Sequence, residues 1–228
     1  MRVLITRPRD DSAVIAARLA DLGHRPLVAP LLEPRWFDGA ELDLAAIAAI
    51  LVTSANGVRA LVRRTPRRDV PVFAVGPQTT QEARAAGFAR VENADGDARA
   101  LAAAVPRWLA PDAGTLLHVC GEDSIGHLAE DLSALGYAVC RETLYAVDTV
   151  PLAQVAMQAL REGALDAALF FSPRSARIFL DQAVGLPLTG VTAFCISSAT
   201  AAILPQGRFG AVRVAAKPNQ DALLALLA

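Results

Sequence analysis

Residues 51–61 read LVTSANGVRAL, and this stretch decides the fold. An apolar run, AAILV, ends at Val52, and a helical pattern begins at Ser54, so a strand passes into a helix through one hydroxyl-bearing turn. The same alternation recurs on either side. VLI at 3–5 leads into a helix patterned by Val14, Ile15, Leu19 and Leu22, with Gly23 as its stop. VFAV at 72–75 precedes a helix that reaches Ala86 and stops at Gly87. TLLHVC at 115–120 precedes a helix carrying Leu128, Leu132 and Leu135, closed by Gly136, while ALFF at 168–171 and TAFCI at 192–196 open two further units. Repeated strand–helix units predict an α/β protein with parallel sheets covered on both faces.

The opening stretch also has a counterpart. LVTSANGVRAL (51–61) aligns with LFFSPRSARIF (169–179), which sets Ser54 over Ser172 and Arg59 over Arg177. VFAVGPQT (72–79) aligns with AFCISSAT (193–200), setting Thr79 over Thr200, and residues 3–24 align with 116–137. The blocks run in the order A-B-A-B, which predicts an internal duplication and two lobes. Segments 34–38 (PRWFD) and 142–147 (ETLYAV) lack helical periodicity and read as two extended chain crossings between lobes, with Trp36, Phe37 and Tyr145 as their aromatic contacts. Periodicity alone leaves a tandem and an interleaved division equally open.

Composition narrows the function classes. The chain has 228 residues, 54% hydrophobic and 20% charged, with Lys+Arg 22 against Asp+Glu 23 and a net charge of −1. That supports a sizeable core and speaks against nucleic acid held on a broad basic face. Cys120, Cys140 and Cys195 have no C-x-x-C spacing and read as free thiols in a reducing compartment. The start MRVLITRPRDD carries charges where a signal peptide needs an apolar run, and the uncharged segment 182–207 is broken by Gly185, Pro187, Gly190 and Pro205. A cytoplasmic protein without a membrane span is expected. Neither G-x-G-x-x-G nor a P-loop is present, and His24, His118 and His127 lack metal-ligand spacing. His118 reads as a core or edge strand residue. Arg63, Arg64, Arg67 and Arg68 read as a solvated turn around Pro66, and Asp95-Gly96-Asp97 as a polar turn before a helix from Ala98.

Chemistry is therefore expected at the strand-to-helix turns, where helix N-termini present free N–H groups. These are Thr6-Arg7-Pro8, Ser54-Ala55-Asn56-Gly57, Gly76-Pro77-Gln78-Thr79, Gly121-Glu122-Asp123-Ser124, Ser172-Pro173-Arg174-Ser175 and Ser197-Ser198-Ala199-Thr200. They are rich in hydroxyls and amides and poor in carboxylates. Ser54, Thr79, Ser172 and Thr200 read either as helix caps or as donors to a carboxylate-rich ligand, and the recurrence of the same chemistry in both halves favours the second.

At these turns the chain resembles the uroporphyrinogen-III synthase family. The resemblance rests on VLITRP, LVTSANGVRAL, VFAVGPQTTQEARAAGF, the Leu-Tyr of ETLYAV, LFFSPRSARIF and CISSATAAIL…VRVAAKPNQDALLALL, in family order along nearly the whole chain. The chain departs from the family where arginines often stand, at Cys120 and Ile125 and after the linker tyrosine at Ala146 and Val147. The resemblance implies two flavodoxin-like lobes, one discontinuous (1–33 and 148–228) and one between (38–142), joined by linkers at 34–37 and 143–147. It implies cyclisation of hydroxymethylbilane to uroporphyrinogen III with loss of water and D-ring inversion, by a monomer using no cofactor and no metal. The implied partner is a tetrapyrrole with eight carboxylates, and the implied substrate-binding residues are Thr6, Arg7, Ser54, Ala55, Asn56, Gly76, Thr79, Gly121, Ser172, Arg174, Ser197 and Thr200. Tyr145 matches the family's linker tyrosine and is expected either to donate a proton to the leaving hydroxyl or to serve as an amphipathic hinge. The competing expectation is a non-catalytic bilobal small-molecule sensor, disfavoured by the lack of a DNA-binding segment.

Overall fold

Val3, Leu4 and Ile5 are fully buried in the computed structural model, which describes residues 1–124 and 126–227. A strand with no wet face needs helices on both sides, and the chain supplies them in alternation. β1 (Arg2–Ile5) leads to α1 (Arg9–Asp21), β2 (Arg25–Val28) and β3 (Leu32–Trp36). β4 (Ile47–Val52) leads to α2 (Ala55–Arg64), β5 (Val72–Ala74) to α3 (Pro77–Ala85), and β6 (Val91–Asn93) to α4 (Ala98–Ala104). β7 (Thr115–Gly121) leads to α5 (Leu128–Ala134), the long β8 (Val139–Thr149) and α6 (Gln154–Arg161). β9 (Ala167–Phe170) leads to α7 (Pro173–Gln182), β10 (Thr192–Cys195) to α8 (Ser198–Ala201), and β11 (Ala211–Val214) to α9 (Gln220–Leu224).

Local chemistry starts and stops these helices. Ser54, Asp97, Ser172, Ser197 and Asn219 each accept the N–H three residues on, from Gly57, Ala100, Ser175, Thr200 and Ala222. Asp97 thus makes the Asp95–Asp97 turn the start of α4, as its sequence suggests. Gly23 ends α1 at φ +78°, where its N–H bonds the Ala20 carbonyl and that of His24 the Leu19 carbonyl. Gly136 repeats the arrangement after α5 at φ +88°, and only glycine adopts such angles without strain.

The chain divides into two compact units, Met1–Glu33 with Asp148–Ala228, and Pro34–Val147. In the first unit the sheet order is β2-β1-β9-β10-β11, all in parallel where pairing is resolved. Counted along the unit's own chain, this is 2-1-3-4-5, the flavodoxin-like order. Val3, Ile5, Leu169 and Phe194 pack under α1 and α9, whereas Leu4, Ala168 and Phe170 face α6 and α7. The second unit has the order β3-β8-β7-β4-β5-β6. Counting β7 first and β8 second, then β4, β5 and β6, gives the same 2-1-3-4-5 with β3 added at the edge. Ile50, Val52 and Val119 pack against Val58 and Leu61 of α2, and Leu51, Phe73 and Leu116 against Leu101 of α4 and Leu132 of α5.

The two segments expected as extended chain crossings both lie in strands. Residues 34–37 and 143–147 fall at the two ends of the second unit, Pro34–Val147. Residues 34–36 lie in β3 and 143–147 in β8, neighbouring strands of the sheet. Leu144, Tyr145 and Ala146 are buried, and the Phe37 N–H donates to the Leu144 carbonyl. The uncharged stretch 182–207 folds as the end of α7, loop, β10 and α8. Among the described residues no helix is long and apolar enough to cross a membrane.

Candidate active site

In an open parallel sheet the ligand crevice lies beyond the carboxyl ends of the two strands where the order reverses. In the second unit those strands are β7 and β4. β4 runs out into Ser54 at the start of α2, and β7 ends at Gly121. The third participant comes from β8. Its register against β7 pairs Cys120 with Thr143 and then Gly121 with Tyr145, skipping Leu144. Such an irregularity re-aims a side chain. A Cβ on Gly121 would stand 2.8 Å from the Tyr145 ring carbons, so the phenol occupies space that only glycine leaves open. The Tyr145 hydroxyl lies 2.7 Å from Ser54 Oγ, which also accepts the Gly57 N–H at 3.0 Å. The Glu122 N–H donates to the Tyr145 carbonyl, and Trp36 lies beside the ring with centroids 6.2 Å apart.

Tyr145 is 7% exposed. Burial raises its pKa above the ordinary phenol value, while the Ser54 hydrogen bond pulls the other way and the Cys120 thiol adds a small upward push. At neutral pH it is therefore a protonated hydroxyl, a donor with a second hydroxyl at its oxygen. Ala55 is buried behind Ser54, and Asn56 accepts from Arg59, whose guanidinium makes a two-pronged contact with Glu82 of α3 at 3.0 and 2.9 Å.

The remaining turns form separate groups. At the end of β5, Gly76 caps α3 with Pro77 at its first position, its carbonyl accepts from the Thr80 hydroxyl, and Thr79 is buried. In the first unit the order reverses between β1 and β9, where Thr6 Oγ1 donates to the Leu169 carbonyl at 2.8 Å. Arg7 does not present a free charge: it pairs with Asp11 at 2.6 Å and lies 5.0 Å over the Phe171 ring. Ser172 is half-buried and engaged with Ser175, whereas Arg174 is exposed. Thr200 is 0% exposed and its hydroxyl meets Ser197 at 3.1 Å, the surroundings of a helix cap.

Other sequence features are structural. His118, in β7, is buried with neither ring nitrogen hydrogen-bonded, and burial with the nearby Arg141 charge lowers its pKa to about 4 despite Glu130. The arginines around Pro66 lie at the surface, as expected, and also tie down the turn: Arg64 bonds the Ala40 carbonyl, Arg67 that of Leu44, and Arg68 those of Thr65 and Ala86. Arg63 lays its guanidinium over Trp36. Burial pushes the Cys195 thiol up to about 11, and the cysteines are unbridged. Ile125 lies outside the described residues. Among the described residues no three His, Cys, Asp or Glu side chains cluster as metal ligands. The Ser54–Tyr145 contact went unread in the sequence; the strand-like ETLYAV following the TLLHVC unit was the one signal that could have placed Tyr145 beside Gly121.

The sequence model of the family described as Uroporphyrinogen-III synthase HemD matches residues 13–225. The chain belongs to the uroporphyrinogen-III synthase family. Comparison with curated proteins returned no match. Among solved structures it is similar to the uroporphyrinogen-III synthetase from Helicobacter pylori, with TM-score 0.67 and 21% identity over 100% of this chain and 98% of that one. It is also similar to a mutant uroporphyrinogen III synthase from Thermus thermophilus, with TM-score 0.53 and 19% identity over 100% and 97%. At such identities the likeness speaks for the fold, and the family match carries the activity. As a uroporphyrinogen-III synthase the chain is a lyase of heme biosynthesis. The second unit of this synthase holds a neutral phenol, Tyr145, against the Ser54 hydroxyl.

Proposed function

We infer that this synthase closes hydroxymethylbilane to uroporphyrinogen III with D-ring inversion, as a cytoplasmic monomer needing neither cofactor nor metal, and that Tyr145 supplies the proton with which the hydroxyl leaves as water. The observation that carries the reading is the Tyr145–Ser54 hydroxyl pair at the strand ends where the second sheet reverses order. Neutral donors around it suit a substrate bearing eight carboxylates, because helix N-termini and hydroxyls hold anions without burying unpaired cations. Asn56 at the start of α2 and Gly76 at the start of α3 are the groups we assign to this task. Ring closure at a substituted carbon is chiefly a matter of positioning, so the chain needs no dedicated nucleophile.

Tyr145→Phe tests the assignment. General acid assistance is typically worth about 10²- to 10⁴-fold, and water replaces part of it at an accessible site. The variant should lose about tenfold or more in kcat, with KM, melting temperature and the type III product largely kept. A Phe variant with unchanged kcat would leave Tyr145 a packing residue.

A further inference from the structure

We propose that Ser54 is a positioning residue for the reaction: Gly57 fixes its oxygen, its own proton goes to the Tyr145 phenol oxygen, and the phenol proton is thereby left for the substrate. The inference rests on the reading of Tyr145 as the acid. A hydroxyl has one proton and two lone pairs. Ser54 Oγ accepts the Gly57 N–H at 3.0 Å, and its remaining close contact is Tyr145 Oη at 2.7 Å. If the phenol donated to Ser54, its proton would be spent inside the protein and the serine proton would have no use in the pair. The order Gly57 N–H, Ser54 O–H, Tyr145 O–H uses each donor once and ends on a proton that can leave.

Charge favours the same order. Ser54 caps α2, whose ten residues direct a partial positive charge at its N-terminus. As Tyr145 gives up its proton, the negative charge growing on the phenol oxygen meets the serine O–H, backed by that helix end. A serine proton pointing elsewhere would leave the charge unmet in a buried setting. The phenol is also held in place. Gly121 leaves room for the ring on one side, Trp36 adjoins it, and the register shift at Cys120/Gly121 sets Tyr145 opposite Gly121. The cap that starts α2 thus also polarises the acid.

The chain has two tyrosines, so Tyr137→Phe leaves Tyr145 as the single phenol, and its ionisation can be followed by ultraviolet absorbance. In that background, with melting temperature confirming the fold, Ser54→Ala should raise the Tyr145 pKa. It should lower kcat about fivefold, the worth of one neutral hydrogen bond, at nearly unchanged KM. Ser54→Thr, which keeps the hydroxyl, should restore both, and Ser54→Ala should cost nothing further in kcat once Tyr145 is Phe. If the titration does not move on Ser54→Ala while Tyr145→Phe is slow, the proposal is overturned and Tyr145 stands as the acid. If Tyr145→Phe keeps full kcat, the acid reading falls and this proposal with it, whatever the titration shows.

Discussion

Gly121 matters less for its backbone angles than for the space above it. A Cβ there would come within 2.8 Å of Cε2 and Cζ of the Tyr145 ring, a contact neither atom can relieve without moving the phenol off Ser54. Gly121→Ala should therefore lower kcat by about the same factor as Tyr145→Phe, while melting temperature falls by only a few degrees; steady-state kinetics beside a thermal melt reads both. His118 presents a different single-residue effect. Its pKa is about 4 in the fold against 6.5 in a free chain, because burial and Arg141 oppose the charge more than Glu130 supports it. The unfolded chain takes up the proton first as pH falls. Stability is thus full above about pH 6.5 and declines toward pH 4, by about 2 kcal/mol between pH 7 and pH 5. Urea titrations at the two pH values should show that loss in the wild type and its absence in His118→Leu.

Elements owe their ends to contacts a few residues long, and those were legible. Ser54, Ser172 and Ser197 stand before helical patterns and cap them, and Gly23, Gly87 and Gly136 stop them at positive φ. Thr200 was expected at the ligand, but its hydroxyl is covered and bonded to Ser197. Thr200→Ala should accordingly cost about 1 kcal/mol in urea unfolding and leave product affinity unchanged. Retained stability with lost affinity would return Thr200 to the ligand face. Contacts between distant strands were not legible in the same way. Ser54 and Tyr145 stand 91 positions apart, and their meeting depends on β8 pairing with β7 and on a one-residue shift in that pairing. No local pattern encodes such a shift. ETLYAV lacks helical periodicity, which marked it as extended but not as a strand of a six-stranded sheet. The arginines around Pro66 stay at the surface as their charge suggests, but their carbonyl partners, brought close by the fold, were not legible.

At the scale of the molecule, alternating strands and helices pointed to parallel sheets, and both sheets have them. The A-B-A-B order suggested corresponding halves, and the strand order 2-1-3-4-5 describes each unit once β7 is counted first. Function was legible only where turn chemistry and family resemblance met: hydroxyls and amides at strand ends suit many anions, and the family match over 13–225 selects the tetrapyrrole. This chain directs ring closure instead of merely holding a ligand. The most direct test of that activity is incubation of the purified protein with hydroxymethylbilane, followed by oxidation and chromatographic separation of the porphyrin isomers. The type III isomer should form, faster than spontaneous closure in a protein-free control. Type I isomer alone, at the rate of that control, would contradict the activity.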